Sequence, residues 1–316
     1  MNRSIAPEFK QDQRLEIIFP EKLRGESEME IFLMKDVKDD SVKIDIEWNA
    51  GTKYQSKKLV SGFTNKLLLA GTKEKNAETI SEEIDFYGGY VQSELDKDHA
   101  AITIYSLNEN VSEVFRLVRE AIDNAIFPHD QFNKEIAISE SKFKIENEKV
   151  STLCRREFNQ NLYGNDAYGA VAELSDFSNL SVEDLKSFYQ THYKTVPVIF
   201  ITGNVSDELI AQVKSWGASF SANPITAFAQ AFNQKTGRIN VERPEAIQSA
   251  IRVGRLMFDK THPDYFNFQL LNTVLGGYFG SRLMANIRED KGYTYGIGSG
   301  MAVLQEVGYF YIGTEV

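Results

Sequence analysis

Apolar and polar residues alternate through Val42-Lys43-Ile44-Asp45-Ile46-Glu47-Trp48, the period of two that gives a strand one buried face. The run stops at Asn49-Ala50-Gly51, and the period then lengthens. Lys58 to Leu69, and Ala77 to Tyr87 with Ile80, Ile84 and Tyr87 in phase, predict a helix pair around the breaker Ala70-Gly71-Thr72. Gly88-Gly89 ends the second helix, and Tyr90 to Leu95 with Ala100 to Leu107 read as a hairpin about Asp96-Lys97-Asp98-His99. Helical spacing returns at Val111 to Ala125, from Asp130 into the 150s, and at Ser181 to Tyr193, where Ser181-Val182-Glu183-Asp184 has the form of an N-terminal cap. Val196 to Thr202 reads as a buried strand and Asp207 to Trp216 as a closing helix; the residues before Val42 read only as a polar arm.

The same order then starts again. Ala250 to Phe258 predicts a strand, Asp264 to Leu275 and Ser281 to Asp290 two helices, and Tyr293 to Val303 with Gly308 to Gly313 a hairpin. Ile84-Asp85-Phe86-Tyr87-Gly88-Gly89-Tyr90 lies over Ile287-Arg288-Glu289-Asp290-Lys291-Gly292-Tyr293, with Ile, Gly and Tyr coinciding. A repeat constrains the whole architecture. The expectation is an α+β chain of two homologous domains, each an antiparallel sheet flanked by helices. Residues 1–220 form the first domain, residues 221–237 a linker in a stretch of small and polar residues, and residues 238–316 a second domain, incomplete in this chain.

Composition narrows the function classes. With 316 residues, 42% hydrophobic and 25% charged, the chain has enough apolar surface for packed cores. Its 45 acidic residues against 35 basic ones, a net charge of −10, would repel a phosphate backbone, so nucleic acid is excluded as a partner. No apolar run approaches the roughly 18 residues that span a bilayer, which excludes a membrane segment. The first seven residues lack the apolar core of a secretory signal, and the single cysteine, Cys154, has no intramolecular partner, so the cytoplasm is the expected compartment.

Candidate chemistry is sparse. His192 shares a helix face with Leu185, Phe188 and Tyr189 and reads as a core histidine. His99 with Asp96 and Asp98 reads as a turn, with a cation site as the alternative; His129 and His262 flank prolines in turns. Cys154 stands beside Arg155 and Arg156, which would lower its pKa, but no histidine is near it to act as a base. Leu275-Gly276-Gly277-Tyr278-Phe279-Gly280-Ser281-Arg282 reads as a cap and tight turn, with an anion cradle as the alternative; it follows a helix and lacks P-loop and dinucleotide spacing. More specific is Arg288 near a helix end with Tyr295 seven residues on, in the following strand: a guanidinium and a phenol able to converge on a carbonyl oxygen or carboxylate. In that strand Gly296, Gly298, Gly300 and Ala302 leave one face nearly bare, so something must approach it closely, either a packed helix or a ligand.

Leu275-Gly276-Gly277, Ser281-Arg282-Leu283, Ile287-Arg288-Glu289, Lys291-Gly292 and Tyr293-Thr294-Tyr295-Gly296 resemble the C-terminal signature of the pitrilysin, insulinase and mitochondrial processing peptidase family of zinc endopeptidases. Gly71-Thr72, Asp98-His99, Tyr105-Ser106-Leu107, Tyr163-Gly164, Tyr168-Gly169 and Phe188-Tyr189-Gln190-Thr191-His192-Tyr193 extend the likeness through most of the chain. The resemblance implies the LuxS/processing-peptidase-like fold. It also implies a His-x-x-Glu-His zinc motif on the helix before Gly71-Thr72, where this chain reads Gly62-Phe63-Thr64-Asn65-Lys66. Gly62 and Lys66 take the histidine positions, Asn65 that of the catalytic glutamate, and Glu140 that of the third ligand. No closed zinc site follows from that set, and Asn65 cannot accept a proton from water as a carboxylate does. Arg288 and Tyr295 match the pair that holds the substrate carbonyl. The resemblance therefore implies a non-catalytic, substrate-binding subunit of a heteromeric zinc endopeptidase, without a cofactor of its own. Its partners would be a homologous subunit carrying the zinc motif and the zinc, and an extended peptide substrate. The alternative is a purely structural peptidase-like scaffold or assembly subunit.

Overall fold

In a computed structural model of the chain, residues 17–35, 39–164, 167–221 and 236–316 are described. Most of the expected linker lies outside them.

The first unit is a six-stranded sheet in the order β1-β2-β6-β3-β5-β4, formed by β1 (Glu21–Arg24), β2 (Glu30–Met34), β3 (Ser41–Trp48), β4 (Tyr90–Leu95), β5 (Ala100–Leu107) and β6 (Val198–Thr202). All pairs are antiparallel except β2 with β6. These two strands are separated by the entire unit, so no hairpin sets their relative direction. Val42, Ile44, Ile46 and Trp48 are buried, and Ile31, Leu33, Ile102, Ile104, Ile199 and Ile201 share their core.

The helices cover that face: α1 (Val60–Lys66), α2 (Ala77–Phe86), α3 (Val111–Asp123), α7 (Val182–Phe188) and α8 (Asp207–Trp216), with α4 (His129–Asn147), α5 (Val150–Tyr163) and α6 (Leu174–Asn179) between α3 and α7 in the chain. Seven residues of α3 are buried, from Val111 to Ile122, each large aliphatic contributing about 1.5–3 kcal/mol. The Ser181 cap is present, with Asp184 N–H donating to Ser181 Oγ at 3.3 Å and Ser181 N–H to Asp184 Oδ2 at 2.8 Å. The helical stretch expected from Asp130 into the 150s is two helices, broken at Glu148 and Lys149.

The second unit is a three-stranded antiparallel sheet, β7 (Ala250–Met257), β9 (Gly308–Glu315) and β8 (Ile297–Val303), in the order β7-β9-β8. Helices α9 (Tyr265–Asn272) and α10 (Met284–Asp290, wound with π turns) precede β8. Strand order first-third-second is the same in β3-β5-β4 and β7-β9-β8, so the duplication holds in topology. One sheet face meets α9, where Phe268 stacks edge-on with Phe310. The opposite face meets α5 of the first unit through Phe158 and Tyr163, each 6.0 Å from Tyr309.

The register of the repeat is off by one residue at the turn. Gly89 N–H bonds to Ile84 C=O, but Tyr293 N–H bonds to Ile287 C=O, so the second turn holds one residue more. Gly88 (φ +66°) and Gly292 (φ +65°) are the left-handed caps. The extra residue belongs to the π turns of α10, which accommodate an insertion without ending the helix.

Candidate functional site

Helix α1 lies against the β4–β5 hairpin; its Asn65 and Lys66 are engaged internally, while the buried Thr64 hydroxyl has no hydrogen-bond partner among the described residues. Asn65 is 2% exposed. Its Nδ2 donates to the carbonyls of Glu94 (2.7 Å) and Ala101 (3.4 Å), and its Oδ1 accepts from the Tyr193 hydroxyl at 3.0 Å. Burial pushes the Tyr193 phenol far above its ordinary range and keeps it a donor. Lys66 reaches Glu135 (2.8 Å) and Ser139 (3.0 Å). Burial would raise the Glu135 carboxyl, but Lys66 and Ser139 outweigh it and hold the carboxyl below its usual range. A Cβ at Gly62 would lie 3.4 Å from Leu95 Cδ2, so its methyl would fit with a small adjustment.

Glu140 pairs with Lys144 one turn along its own helix, at 2.7 Å, while Lys66 is met by Glu135. Among the described residues, no three His, Cys, Asp or Glu side chains are placed to hold a metal ion. The three α1 positions do not fit zinc, since an amide, an ammonium and a glycine supply no anionic or imidazole ligand.

His192 is a packed side chain, its Nδ1 3.2 Å from Asn49 C=O and its ring against Phe188, with burial lowering its pKa despite the carbonyl. Asp96 Oδ1 accepts from the N–H groups of Asp98 and His99, which makes this segment a side-chain-stabilised turn. A Cβ at Gly276 would meet Ser299 Oγ at 2.5 Å and Ser299 N at 2.6 Å, so that glycine serves the close approach of its loop to β8. Burial raises the Cys154 thiol despite Arg252 nearby, which leaves it a poor nucleophile.

Arg288 and Tyr295 line one cavity of about 630 Å³, together with Gln248, Glu289, Tyr293 and Thr294. Arg288 stacks over the Phe279 ring at 4.6 Å, and its nearest carboxylate, Glu289, is 3.8 Å away. Tyr295 lies in the bend before β8, not within the strand as the sequence reading had it. Thr294 causes this: its Oγ1 donates to Glu315 C=O (2.6 Å) and accepts from Gly296 N–H (3.1 Å) and Thr314 Oγ1 (2.9 Å). The bend is thus pinned to the end of β9 while the Tyr295 side chain is left 92% exposed.

A buried ionic group escaped the sequence reading. Lys53 Nζ lies 3.0 Å from Asp98 Oδ1 and 2.7 Å from Gln305 Oε1, and Gln305 N–H donates to Asp98 Oδ2 at 2.8 Å. Tyr168 donates its hydroxyl to Asp98, and Glu306 approaches Lys53 at 3.3 Å. Burial would raise the Asp98 carboxyl, but Tyr168, Gln305 and Lys53 outweigh it and hold it below the usual range. This group fastens the β8–β9 turn of the second unit to the hairpin turn of the first.

The fold and this distribution of groups define a peptidase-like α+β duplicate in which α1 supplies no imidazole or carboxylate. The chain belongs to the peptidase M16 (insulinase) family: residues 31–172 match its description "Insulinase (Peptidase family M16)" and residues 179–316 match "Peptidase M16 inactive domain". It is 22% identical over 262 residues to the uncharacterized zinc protease YmxG of Bacillus subtilis, covering 81% of this chain and 64% of that protein. It therefore spans less than two thirds of that relative's length. Over 172 residues, 51% of this chain and 39% of the relative, it is 25% identical to the mitochondrial cytochrome b-c1 complex subunit 2 of Schizosaccharomyces pombe. The structure of a peptidase M16 inactive domain from Pseudomonas fluorescens superposes with a TM-score of 0.86 at 22% identity, covering 94% of this chain and 74% of that one. Among the described residues no helix is long and apolar enough to cross a membrane.

Proposed function

We propose that the chain is a non-catalytic, substrate-binding subunit of a heteromeric zinc endopeptidase. The observation that carries this reading is the shared cavity of Arg288 and Tyr295, set against an α1 whose Asn65 and Lys66 are engaged in internal bonds. Within residues 238–316, the guanidinium and the phenol donate to the scissile carbonyl oxygen of an extended peptide. Residues 1–220 serve as scaffold, and cleavage falls to a partner with an intact His-x-x-Glu-His motif.

The test is reconstitution with such a partner. Each chain alone is expected to be nearly inactive and the mixture to cleave peptides. Arg288→Ala and Tyr295→Phe are each expected to lower turnover of the mixture about 10²–10³-fold, the effect of losing one oxyanion donor, with assembly unchanged by size-exclusion chromatography. Full activity in both variants overturns the assignment. A second reading, a structural assembly subunit, is supported by the similarity to cytochrome b-c1 complex subunit 2. It expects a stable complex that never cleaves peptide, with or without Arg288.

A further inference from the structure

A second cavity adjoins the first. Arg252 of β7 has its guanidinium against two rings, 4.0 Å from the Tyr311 centroid and 5.2 Å from that of Phe158. Its Nε is buried without a hydrogen-bond partner, and among the described residues no carboxylate lies within ion-pair distance. A guanidinium stacked on an aromatic ring keeps its edge for bonding, and burying a donor unpaired is costly. Arg252 lines a cavity of about 460 Å³ between α5 and the second sheet.

The floor of that cavity includes Gly313 and Gly296, the first residue of the bare face noted in the sequence; further along that face Gly300 lies under the Tyr311 ring. Arg252 pairs across the sheet with Gly313, and Gly313 with Gly298. A Cβ at Gly296 would meet nothing within 4 Å, and one at Gly313 only a Tyr311 ring carbon at 4.0 Å. No helix fills this part of the face, so an extended segment has room to lie on the strand backbone. Tyr295 and Thr294 line both cavities.

We propose that the Arg252 cavity binds a carboxylate of the peptide whose carbonyl is held at Arg288 and Tyr295, a proposal that rests on that reading of the pair. A stacked guanidinium edge matches a carboxylate bidentately. The exposed Glu315 at the rim and the acidic chain as a whole disfavour a doubly charged phosphate. The carboxylate is either an acidic side chain or a chain terminus, and three peptides of otherwise equal sequence separate the two sources: internal Glu with an amidated end, internal Gln with an amidated end, and internal Gln with a free carboxyl end.

Calorimetric titration of the full chain is expected to show at least tenfold tighter binding of one carboxylate-bearing peptide than of the amidated Gln peptide. Arg252→Gln abolishes the preference. Gly313→Val, which fills the floor while keeping Arg252, abolishes it as well, with an unchanged melting temperature as the control for folding. Arg288→Ala weakens all three peptides alike. Equal affinity of the wild-type chain for all three overturns the carboxylate cavity and leaves the Arg288/Tyr295 reading standing. If no peptide binds, that reading falls, and glutarate binding followed by NMR decides the cavity by itself. Binding lost in Arg252→Gln sustains a carboxylate site; no binding, or binding indifferent to Arg252, overturns it.

Discussion

The two copies of the repeated unit differ in how their polar groups are used. In the first, Asn65 has both ends of its amide bonded inside the protein and Lys66 is tied to Glu135. In the second, Arg288 has only a 3.8 Å contact to a carboxylate, Arg252 has none among the described residues, and Tyr295 stands almost fully in solvent. Hydrogen-bonding capacity that is internally satisfied holds a fold together; capacity left over beside a cavity is available to a ligand. Asn65 and Lys66 of the first copy belong to its internal bonding, whereas Arg288, Tyr295 and Arg252 of the second stand beside cavities.

The two copies are fastened by the Lys53–Asp98 pair, and separating them is expected to have the largest effect. The side chains are 2% and 5% exposed. Asp98→Ala leaves the ammonium buried with only Glu306 as counter-charge, at a cost of about 3–5 kcal/mol, measured by urea denaturation. Asp98 sits below its unfolded pKa of about 3.9, so its contribution is complete above that value and is lost as pH falls through the lower native one. Burial opposes the charge on Lys53, but Asp98 prevails and raises its pKa, so its contribution is complete below about 10.4 and is lost as pH rises through the higher native value. Asp98→Asn is expected to reduce the acid step of the stability profile, the remainder coming from other depressed carboxyls such as Glu135. A profile identical to wild type would mean that the pair does not hold the copies together.

Within the first copy, Asn65→Ala strands the Glu94 carbonyl and the Tyr193 hydroxyl in the interior. The expected loss is about 1–3 kcal/mol, read from the same denaturation curves, with peptide binding at the second copy unchanged. A neutral Asn65→Ala would show that the amide is not structural, and would blur the contrast between the copies.

The sequence displayed this contrast only in part. Strict alternation from Val42 to Trp48 and the paired hairpins were legible because one buried face imposes a period of two. β2 was not: Ile31-Phe32-Leu33-Met34 is a short unbroken apolar run, and its pairing with β6 depends on residues about 170 positions away. That Gly62, Asn65 and Lys66 offer neither an imidazole nor a carboxylate could be read directly, because it concerns residue types. The pairing of Lys66 with Glu135, and of Glu140 with Lys144, could not, because helix phase decides it. Likewise nothing local to Lys53 or Arg252 announces Gln305 or Phe158 as a neighbour.

The glycine caps allow a matched measurement. Gly88 and Gly292 share a left-handed φ, and a Cβ at either would meet nothing within 4 Å, so alanine at each position reports backbone strain alone. Each substitution is expected to cost about 1 kcal/mol. Only Gly292→Ala should also weaken peptide binding, because Arg288 and Tyr295 lie on either side of that turn. Equal binding by both variants would separate the turn from the site.

The smallest effect is expected at Lys66. Its pair with Glu135 is short, but the lysine side chain is half exposed, and such pairs contribute about 0.2–1 kcal/mol, screened by salt. Lys66→Ala should therefore shift the denaturation midpoint slightly at low ionic strength and not at all in molar salt, in contrast to Asn65→Ala, whose neutral hydrogen bonds salt does not screen. The depressed Glu135 carboxyl gives a second reading of the same contact: its contribution is present above about 4.3 and lost as pH falls through the native value. In Lys66→Ala the Glu135 carboxyl should return toward its ordinary value, measurable by NMR titration. A carboxyl unmoved by that substitution would mean that Ser139, not the lysine, holds it.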